Sequence, residues 1–242
     1  MISLFQGDCL ELMKDIPSGS IDMILCDLPY GTTRCKWDTV IPFEPLWEQY
    51  ERIIKDNGAI LLFAQTPFDK VLGTSNLKLL RYEWIWEKTS ASNHFNCNRM
   101  PMKAHENILV FYKHLPTYNP QKTQNHSPTH NYTKYITTQN NSEIYGKATE
   151  EVSGGGNTDR YPRSVQIFSS DKQQSTLHPT QKPVKLLEYL IKTYTDEGEI
   201  VLDNCMGSGS TGVACINTNR NFIGMELNEK YFNIAKNRIK EI

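Results

Sequence analysis

The sequence lacks both a membrane-spanning segment and the cysteine pattern of a metal-binding or disulfide scaffold. None of its apolar runs approaches the ~20 residues that a spanning helix needs. Six cysteines are scattered over 242 residues without a Cys-x-x-Cys pair, and the histidines lack metal-ligand spacing. We therefore expect reduced thiols, no bound metal and a cytoplasmic protein.

The sequence also lacks an excess of charge of one sign. It has 26 Lys and Arg against 27 Asp and Glu, which gives a formal net charge of −1. A protein that coats nucleic acid non-specifically would be strongly basic, so this class is disfavoured, although a local basic face is compatible with the composition. With 38% hydrophobic residues the chain can bury a globular core.

Apolar, strand-like segments alternate with helix-like segments in two blocks, residues 1–112 and 165–242. This alternation predicts an α/β fold with a parallel, doubly wound sheet. Residues 113–164 lose the rhythm and are rich in Asn, Gln, Thr, Tyr and His. A polar stretch of this length inside an α/β domain is either functional or a flexible insertion.

A glycine-rich turn in the second block predicts a nucleoside site. The apolar segment "EIVLD" ends in Asp203, "NCMGSGSTG" follows, and a helix is expected from about Ser210. Gly207 and Gly209 let the backbone come close to a ligand, and the helix N-terminus offers free N–H groups. Glu226 ends the next predicted strand, where an acid suits the two hydroxyls of a ribose.

Other interpretations of this turn remain open. The glycines could form a plain strand-to-helix turn, Glu226 could cap the following helix, and the ligand could be a dinucleotide. The spacing differs from G-x-G-x-x-G, however, and a charged Asp203 ahead of the loop would repel a pyrophosphate. A cofactor with a cationic aminoacyl arm fits better, which favours S-adenosylmethionine.

A second motif, "CDLPYG", follows the apolar segment "IDMIL" in the first block. It lies at the carboxyl end of a predicted strand, where open α/β sheets bind ligands. Asp27 can accept a hydrogen bond from an amino group, Leu28 held by Pro29 offers its carbonyl, and Tyr30 offers a flat face. An acid, a carbonyl and an aromatic ring suit the exocyclic amino group of a flipped base. Alternatively, Asp27 is a turn cap and Tyr30 a core aromatic.

These motifs resemble those of the DNA amino-methyltransferases, which modify adenine N6 or cytosine N4. "DLPY" is similar to their (Asp/Asn/Ser)-Pro-Pro-(Tyr/Phe) motif, "DNCMGSGSTG" to their cofactor motif, and "HPTQKP" to the motif preceding it. The catalytic motif comes before the cofactor motif, which is the order of the β class. The resemblance implies a circularly permuted, seven-stranded Rossmann-like methyltransferase sheet with "FQGD" as its third strand.

The resemblance also implies roles for individual residues. Asp8 would contact the cofactor's adenine, or cap a helix, or both, and Thr180 and Lys182 would reach the methionine carboxylate unless "HPTQKP" is only a rigid lead-in to a helix. The expected catalytic residues are Asp27, Leu28, Pro29 and Tyr30. The expected cofactor-binding residues are Asp8, Cys9, Asp27, Thr180, Lys182, Asp203, Gly207, Ser208, Gly209, Ser210, Thr211 and Glu226.

Two positions depart from the family's pattern. Leu28 replaces the usual first Pro of the catalytic motif, which is tolerable because the family uses the backbone carbonyl there. Asn204 and Cys205 stand where the family usually has Pro-Phe. Since Cys205 is smaller than Phe, a looser cofactor pocket is expected.

The sequence thus predicts a site-specific DNA methyltransferase that flips an adenine and methylates N6 by direct in-line transfer. Asp as the first motif residue favours adenine over the alternative, cytosine N4; a non-catalytic DNA-binding module and an RNA or protein methyltransferase are less favoured. Residues 1–112 would form the catalytic half, 113–164 a target-recognition insertion helped by 89–104, and 165–242 the cofactor-binding half. The expected partners are double-stranded DNA and a second copy of the chain.

Overall fold

A computed structural model describes residues 1–31, 38–134, 152–170 and 181–242. The chain divides into two compact units: Met1–Asn119 with Arg163–Ile242, and Pro120–Pro162. The sequence predicts the insertion over residues 113–164. Among the described residues, no helix combines the length and the apolar character needed to cross a membrane.

Strands and helices alternate through most of the larger unit. The strands are β1 Ile2–Gln6, β2 Ile21–Cys26, β3 Ile54–Ala64, β4 Leu80–Ser92, β5 Lys103–Phe111, β6 Tyr132–Lys134, β7 Val152–Gly154, β8 Val165–Phe168, β9 Ile200–Asp203 and β10 Asn221–Glu226. The helices are α1 Cys9–Leu12, α2 Phe43–Ile53, α3 Phe68–Ser75, α4 Val184–Tyr194, α5 Ser210–Asn217 and α6 Glu229–Lys240. Strands β6 and β7 belong to the smaller unit, where they pair with each other antiparallel.

The other eight strands form one sheet in the order β1-β10-β9-β2-β3-β5-β4-β8. The sequence predicted seven strands, and the eighth arises because β8 pairs with β4 at the sheet edge. The predicted parallel arrangement does not extend to β5, which runs antiparallel to β3 and β4. Only residues 93–102 join β4 to β5, and this connection is too short for the crossover that parallel neighbours require.

Helices cover both faces of this sheet, as the term doubly wound implies. Side chains alternate along β2, so that Ile24 and Cys26 pack toward α1, α2 and α3. Met23 and Leu25 pack in the other core, with α4, α5 and α6. Each face of the central strands is therefore buried, which explains why β2 is apolar at almost every position.

The helices present their apolar side chains at helical spacing. In α2 the buried residues are Leu46, Trp47, Tyr50 and Ile53, which recur as i, i+1, i+4 and i+7 and so share one face. Helix α4 begins after Pro183, its N-cap. Proline has no N–H to donate to a preceding turn, and its ring would clash with that turn, so the helix cannot extend further toward the N-terminus.

The parallel strands bring four chain segments to one edge of the sheet. Strand β1 pairs with β10, β10 with β9, and β9 with β2, all parallel. The carboxyl ends of these strands therefore meet, and the segments that follow Gln6, Cys26, Asp203 and Glu226 lie together. The first strand of the chain thus lies beside the last one, as the permuted order implies.

The smaller unit has few regular elements. An isolated antiparallel bridge joins Thr123 to Arg160. Lys122 pairs with Asp159 at 2.8 Å, and its ammonium lies 4.2 Å from the centroid of the Tyr161 ring. Polar contacts therefore contribute much of its described structure.

A buried hydrogen bond between β4 and α4 gives a test of this packing. The Trp84 indole N–H donates to Tyr194 Oη at 2.7 Å. Tyr194→Phe leaves that N–H buried without an acceptor, so we expect the free energy of unfolding to fall by about 1–3 kcal/mol. Urea unfolding followed by circular dichroism measures the change.

Tyr189→Phe is the matched control. Tyr189 lies in the same helix, and its hydroxyl is buried with no hydrogen-bond partner among the described residues. Its removal should leave stability unchanged or slightly raised. Equal losses for the two variants would contradict the assignment of the Trp84 bond.

Candidate active site

A cavity of about 1040 Å³ lies at the carboxyl edge of the sheet. Most residues that the sequence predicted for the site line it: Asp8, Cys9, Asp27, Leu28, Pro29, Tyr30, Lys182, Asp203, Gly207, Ser208, Ser210, Thr211 and Glu226. Gly209 does not line it, and Thr180 lies outside the described residues. The sequence therefore located the cavity, although the contacts inside it differ from several expectations.

The glycine loop is held by the two acids that end its flanking strands. Asp203 is buried, and its carboxylate accepts hydrogen bonds from Thr211 Oγ1 at 2.6 Å and from the Cys205 N–H at 3.1 Å. Burial raises the pKa of Asp203 to about 7, while these donors act to lower it. Asp203 thus fixes the conformation of the loop by accepting hydrogen bonds from its N–H and hydroxyl groups.

Glu226 holds the same loop from the neighbouring strand. Its Oε2 accepts from the Gly207 N–H at 2.9 Å, and its Oε1 accepts from the Asn228 N–H at 2.8 Å. The side-chain cap of α6 is Asn228, which accepts from two N–H groups of the first turn. Glu226 therefore lines the cavity and is not the N-cap residue of α6.

Glycine is required at positions 207 and 209 by the backbone conformation, and at 209 also by close packing. Gly207 and Gly209 both have a left-handed backbone, with φ of +52° and +78°. At Gly209, the N-cap of α5, a Cβ atom would also lie 3.0 Å from the Cβ of Ala235. Gly209 thus allows α5 and α6 to approach, whereas Gly207 exposes its backbone to the cavity.

Asp8 and Cys9 occupy the end of β1. Asp8 is exposed, lines the cavity and caps α1 by accepting from the Leu10 N–H at 2.8 Å. Cys9 is buried against Cys205, and that contact, with burial, raises its thiol pKa far above the usual range. This end of the cavity therefore offers the exposed Asp8 carboxylate next to the protonated thiol of Cys9.

Asn204 and Cys205 extend this packing beneath the loop. The Tyr50 hydroxyl donates to Asn204 Oδ1 at 2.6 Å, and Asn204 Nδ2 lies 3.6 Å from the Cys205 sulfur. Burial raises the pKa of Cys26, a neighbour of Cys205, to about 12. The expectation of a looser cofactor pocket at Cys205 stays a prediction.

The catalytic motif is built around Asp27. Its Oδ1 accepts from the Tyr30 hydroxyl at 2.7 Å, and its Oδ2 lies 2.7 Å from Lys182 Nζ. The Tyr30 ring stacks on Phe68 of α3, with centroids 4.9 Å apart. The carboxylate and the ring are therefore fixed before any substrate binds.

Lys182 connects Asp27 to a second acid, Glu106 of β5. Its Nζ lies 3.1 Å from Glu106 Oε2, and Lys88 of β4 lies 2.5 Å from Glu106 Oε1. Two carboxylates and two ammonium groups thus form a chain with no net charge. The carboxylate partners seen for Lys182 favour a place in the catalytic centre, and its expected contact with the methionine carboxylate stays a prediction.

The pKa shifts follow from this arrangement. Burial raises the pKa of Asp27, Lys182 acts to lower it, and the negative charge of Glu106 acts to raise it. Burial would raise the pKa of Glu106 too, but Lys182 and Lys88 outweigh it and hold that pKa at about 2. For Lys182, burial lowers the pKa, but the two carboxylates raise it above the usual value.

Sequence reasoning missed Glu106 and Lys88 as site residues. A signal existed in the sequence, because Glu106 is separated by one residue from the apolar run "ILVF" in a predicted strand, where burial is expected. An acid in such a place needs a cationic partner. Its partner Lys182 is distant in sequence, so only the folded sheet reveals the pairing.

With this geometry established, comparison with known proteins identifies the family. The sequence matches the family described as DNA methylase over residues 21–237. The chain belongs to this DNA methylase family. The predicted DNA methyltransferase activity is thereby confirmed, and so is its methyl donor, S-adenosylmethionine.

Several curated methylases are similar over nearly the whole chain. Type II methyltransferase M2.MboI of Moraxella bovis is 26% identical and matches 99% of this chain and 88% of its own length. Type II methyltransferase M.HpaI of Haemophilus parainfluenzae is 29% identical and matches 98% of this chain and 73% of its own length. The predicted resemblance to DNA amino-methyltransferases is confirmed.

Solved methylase structures share the fold. A crystal structure of the M1.HpyAVI–SAM complex is 25% identical, with a TM-score of 0.65, and covers 98% of this chain and 100% of that one. The cytosine-N4-specific PvuII DNA methyltransferase is 17% identical, with a TM-score of 0.68, and covers 98% of this chain and 86% of that one. The predicted fold class is confirmed.

The Asp27–Lys182–Glu106 contacts predict an unusual pH response. Glu106→Gln removes a negative charge that raises the pKa of Asp27 and leaves Lys182 paired with Asp27 alone. If methylation requires ionised Asp27, the acid limb of kcat/KM should move to lower pH. The pH profile of methyl transfer to DNA measures the shift.

Glu188→Gln is the matched control for this change. Glu188 is also a buried acid beside a lysine, at 2.9 Å from Lys185, but it does not line the cavity. Its replacement should leave the acid limb in place. A shift to higher pH in Glu106→Gln, or the same shift in both variants, would contradict the electrostatic role of Glu106.

Proposed function

We propose that this methylase transfers a methyl group from S-adenosylmethionine to the N6 amino group of an adenine flipped out of a short DNA target. The observation that carries the proposal is the Asp27 carboxylate, fixed by Tyr30 and Lys182. It lines the same cavity as the glycine loop anchored by Glu226. One cavity can therefore bring a methyl donor and an amino group together.

The chain offers suitable groups for the cofactor. Glu226 would accept hydrogen bonds from the ribose hydroxyls, because each carboxylate oxygen keeps a lone pair beyond its bond to a backbone N–H. Asp8 would accept from the adenine amino group. The acids lining the cavity suit a cationic ligand, and the bound cofactor supplies an electrophilic methyl group on a sulfonium.

Asp27 and Leu28 would orient the target. The amino nitrogen of adenine is a weak nucleophile because its lone pair is delocalised into the ring. Two acceptors, the Asp27 carboxylate and the Leu28 carbonyl, hold its two N–H groups and favour a pyramidal nitrogen with its lone pair free. Tyr30, backed by Phe68, supports the base by stacking. Positioning and electrostatics thus supply most of the catalysis.

Asp27 also balances the charge that forms during transfer. The new N–C bond forms as the S–C bond breaks, and the amino nitrogen becomes cationic. The Asp27 carboxylate stabilises that charge and takes the leaving proton, which then passes to solvent. No covalent link to the protein is required, in accord with the protonated state of the nearby thiols.

We further infer the setting of the reaction. Residues 89–104 and the insertion would read the target, since they supply Asn, Gln, Arg and Lys that contact base edges and phosphates. Double-stranded DNA is the partner, and the chain would act as a homodimer. The curated relatives come from bacteria, which supports a place in the cytoplasm of a bacterial host.

The proposal is tested first at Asp27. Asp27→Ala should lower methyl transfer on the order of 10³-fold or more, because it removes the acceptor and charge partner of the reacting nitrogen. Cofactor binding, measured by calorimetry, should remain. The assay expresses each protein in cells without their own methylases and identifies methylated nucleosides by mass spectrometry.

The products distinguish the alternatives. N6-methyladenine that disappears in Asp27→Ala supports the proposal, whereas N4-methylcytosine would keep the mechanism and reverse the choice of base. If neither base is modified although the protein binds S-adenosylmethionine, DNA is not the substrate of this chain. Equal loss of transfer and cofactor binding would make Asp27 a structural residue.

The ribose assignment is tested at Glu226. Glu226→Ala should weaken S-adenosylmethionine binding roughly tenfold to a hundredfold, the effect of losing charge-assisted hydrogen bonds worth about 1.5–3 kcal/mol. Calorimetry measures the affinity, and thermal unfolding shows whether the variant is folded. Unchanged affinity in a folded variant would move the ribose site elsewhere.

A further inference from the structure

The connector between β4 and β5, residues 93–102, begins at the mouth of the catalytic cavity. Strand β4 runs in the same direction as β3, because both are antiparallel to β5. Its carboxyl end therefore reaches the same edge as the catalytic motif, and Ser90, Ala91 and Ser92 line the cavity. At the other end of the connector, Lys103 donates a hydrogen bond to Gln65, which also lines the cavity.

The connector has a defined local structure. Asn93 adopts a left-handed backbone with φ of +75°, and a short 3-10 turn spans His94–Asn96. Asn96 Nδ2 donates to Asn93 Oδ1 at 2.7 Å, and the Arg99 N–H donates to the Asn96 carbonyl at 2.8 Å. A loop held in this way loses little conformational entropy when it binds a partner.

Phe95, in the middle of the 3-10 turn, is 104% exposed. It is the most exposed large hydrophobic side chain in the part of the chain that the structure describes. Single exposed apolar residues are common, but Met100 and Met102 of the same connector are exposed as well. Burial of a phenylalanine side chain is favourable, so an apolar partner would stabilise this tip.

The charge around Phe95 suits a polyanion. From Thr89 to His105 the sequence has no Asp or Glu, and its Lys and Arg residues are Arg99 and Lys103. Arg99, on the connector itself, is exposed, whereas the nearby Lys88 is committed to Glu106. An apolar tip beside an exposed cation and polar amides suits a duplex, which presents phosphates outside and stacked bases within.

We propose that Phe95 is a wedge that enters the DNA base stack beside the target adenine when that adenine turns into the cavity. The inference rests on the proposed base flipping. Extruding a base costs stacking and pairing energy. An aromatic ring in the vacated space recovers part of that stacking. Phe95 would thus favour the flipped state without touching the reacting atoms.

The test compares two duplexes that contain the target sequence identified by sequencing the methylated DNA. In one, the target adenine is paired with thymine; in the other, it faces a mismatched base and is already partly unpaired. Phe95→Ala should lower kcat/KM on the paired duplex about tenfold to a hundredfold. On the mismatched duplex the loss should be at least several-fold smaller, because the cost of opening has been removed.

Two control variants accompany this comparison. Phe95→Trp keeps an aromatic ring and should retain most of the activity on paired DNA. Leu115→Ala removes another apolar side chain that is 79% exposed in the same compact unit, outside the connector and the cavity lining. It should have no effect on either duplex.

The outcomes separate this inference from the proposed function. Equal losses on the two duplexes, or no loss, would overturn the wedge while wild-type methylation still supports the proposed function. A changed oligomeric state of Phe95→Ala in size-exclusion chromatography would assign Phe95 to a protein contact and would also overturn it. If the wild-type protein methylates no adenine, the proposed function itself fails.

Discussion

The contact of Lys182 with Asp27 and Glu106 is the interaction on which the active centre depends. A buried ammonium ion is stable only when carboxylates compensate its lost hydration, and here one comes from the end of β2 and the other from β5. Lys182 lies just before α4, so the ion pairs join three distant segments of the chain. The same pairs set the charge on Asp27. The ion pairs of Lys182 therefore both hold the active centre together and control the charge of Asp27.

Around that centre, the acids at strand ends have two roles: two of them hold the glycine loop, and one is itself held in position for the reaction. Asp203 and Glu226 hold the glycine loop through its own N–H and hydroxyl groups, which leaves Gly207 against the cavity. Asp27 is oriented by a hydroxyl and an ammonium group. A loop with few side chains thus keeps a defined shape because carboxylates outside it satisfy its donors.

Local sequence predicts most of the fold, since apolar segments, glycines and prolines act over a few residues. It also predicts Asp27, Tyr30 and Glu226, because strand-end acids in a parallel sheet meet at one edge. It does not predict the antiparallel β5, whose direction depends on the short connector, or the added β8. It also misses Glu106 and Lys88, whose partners are defined only by tertiary pairing. Thr180 lies outside the described residues and stays a prediction.

The division of the chain has a consequence for how such enzymes diversify. Every residue found to line the cavity belongs to the larger unit, and Pro120–Pro162 forms one continuous excursion from it. The Asn119 N–H, at the point of departure, donates to the Thr193 carbonyl of α4 at 2.7 Å, so the junction is anchored in the larger unit. Exchange of this excursion would therefore leave the cavity lining untouched. Under the target-reading role proposed for the segment, related enzymes could change their DNA target and keep the same methylation chemistry.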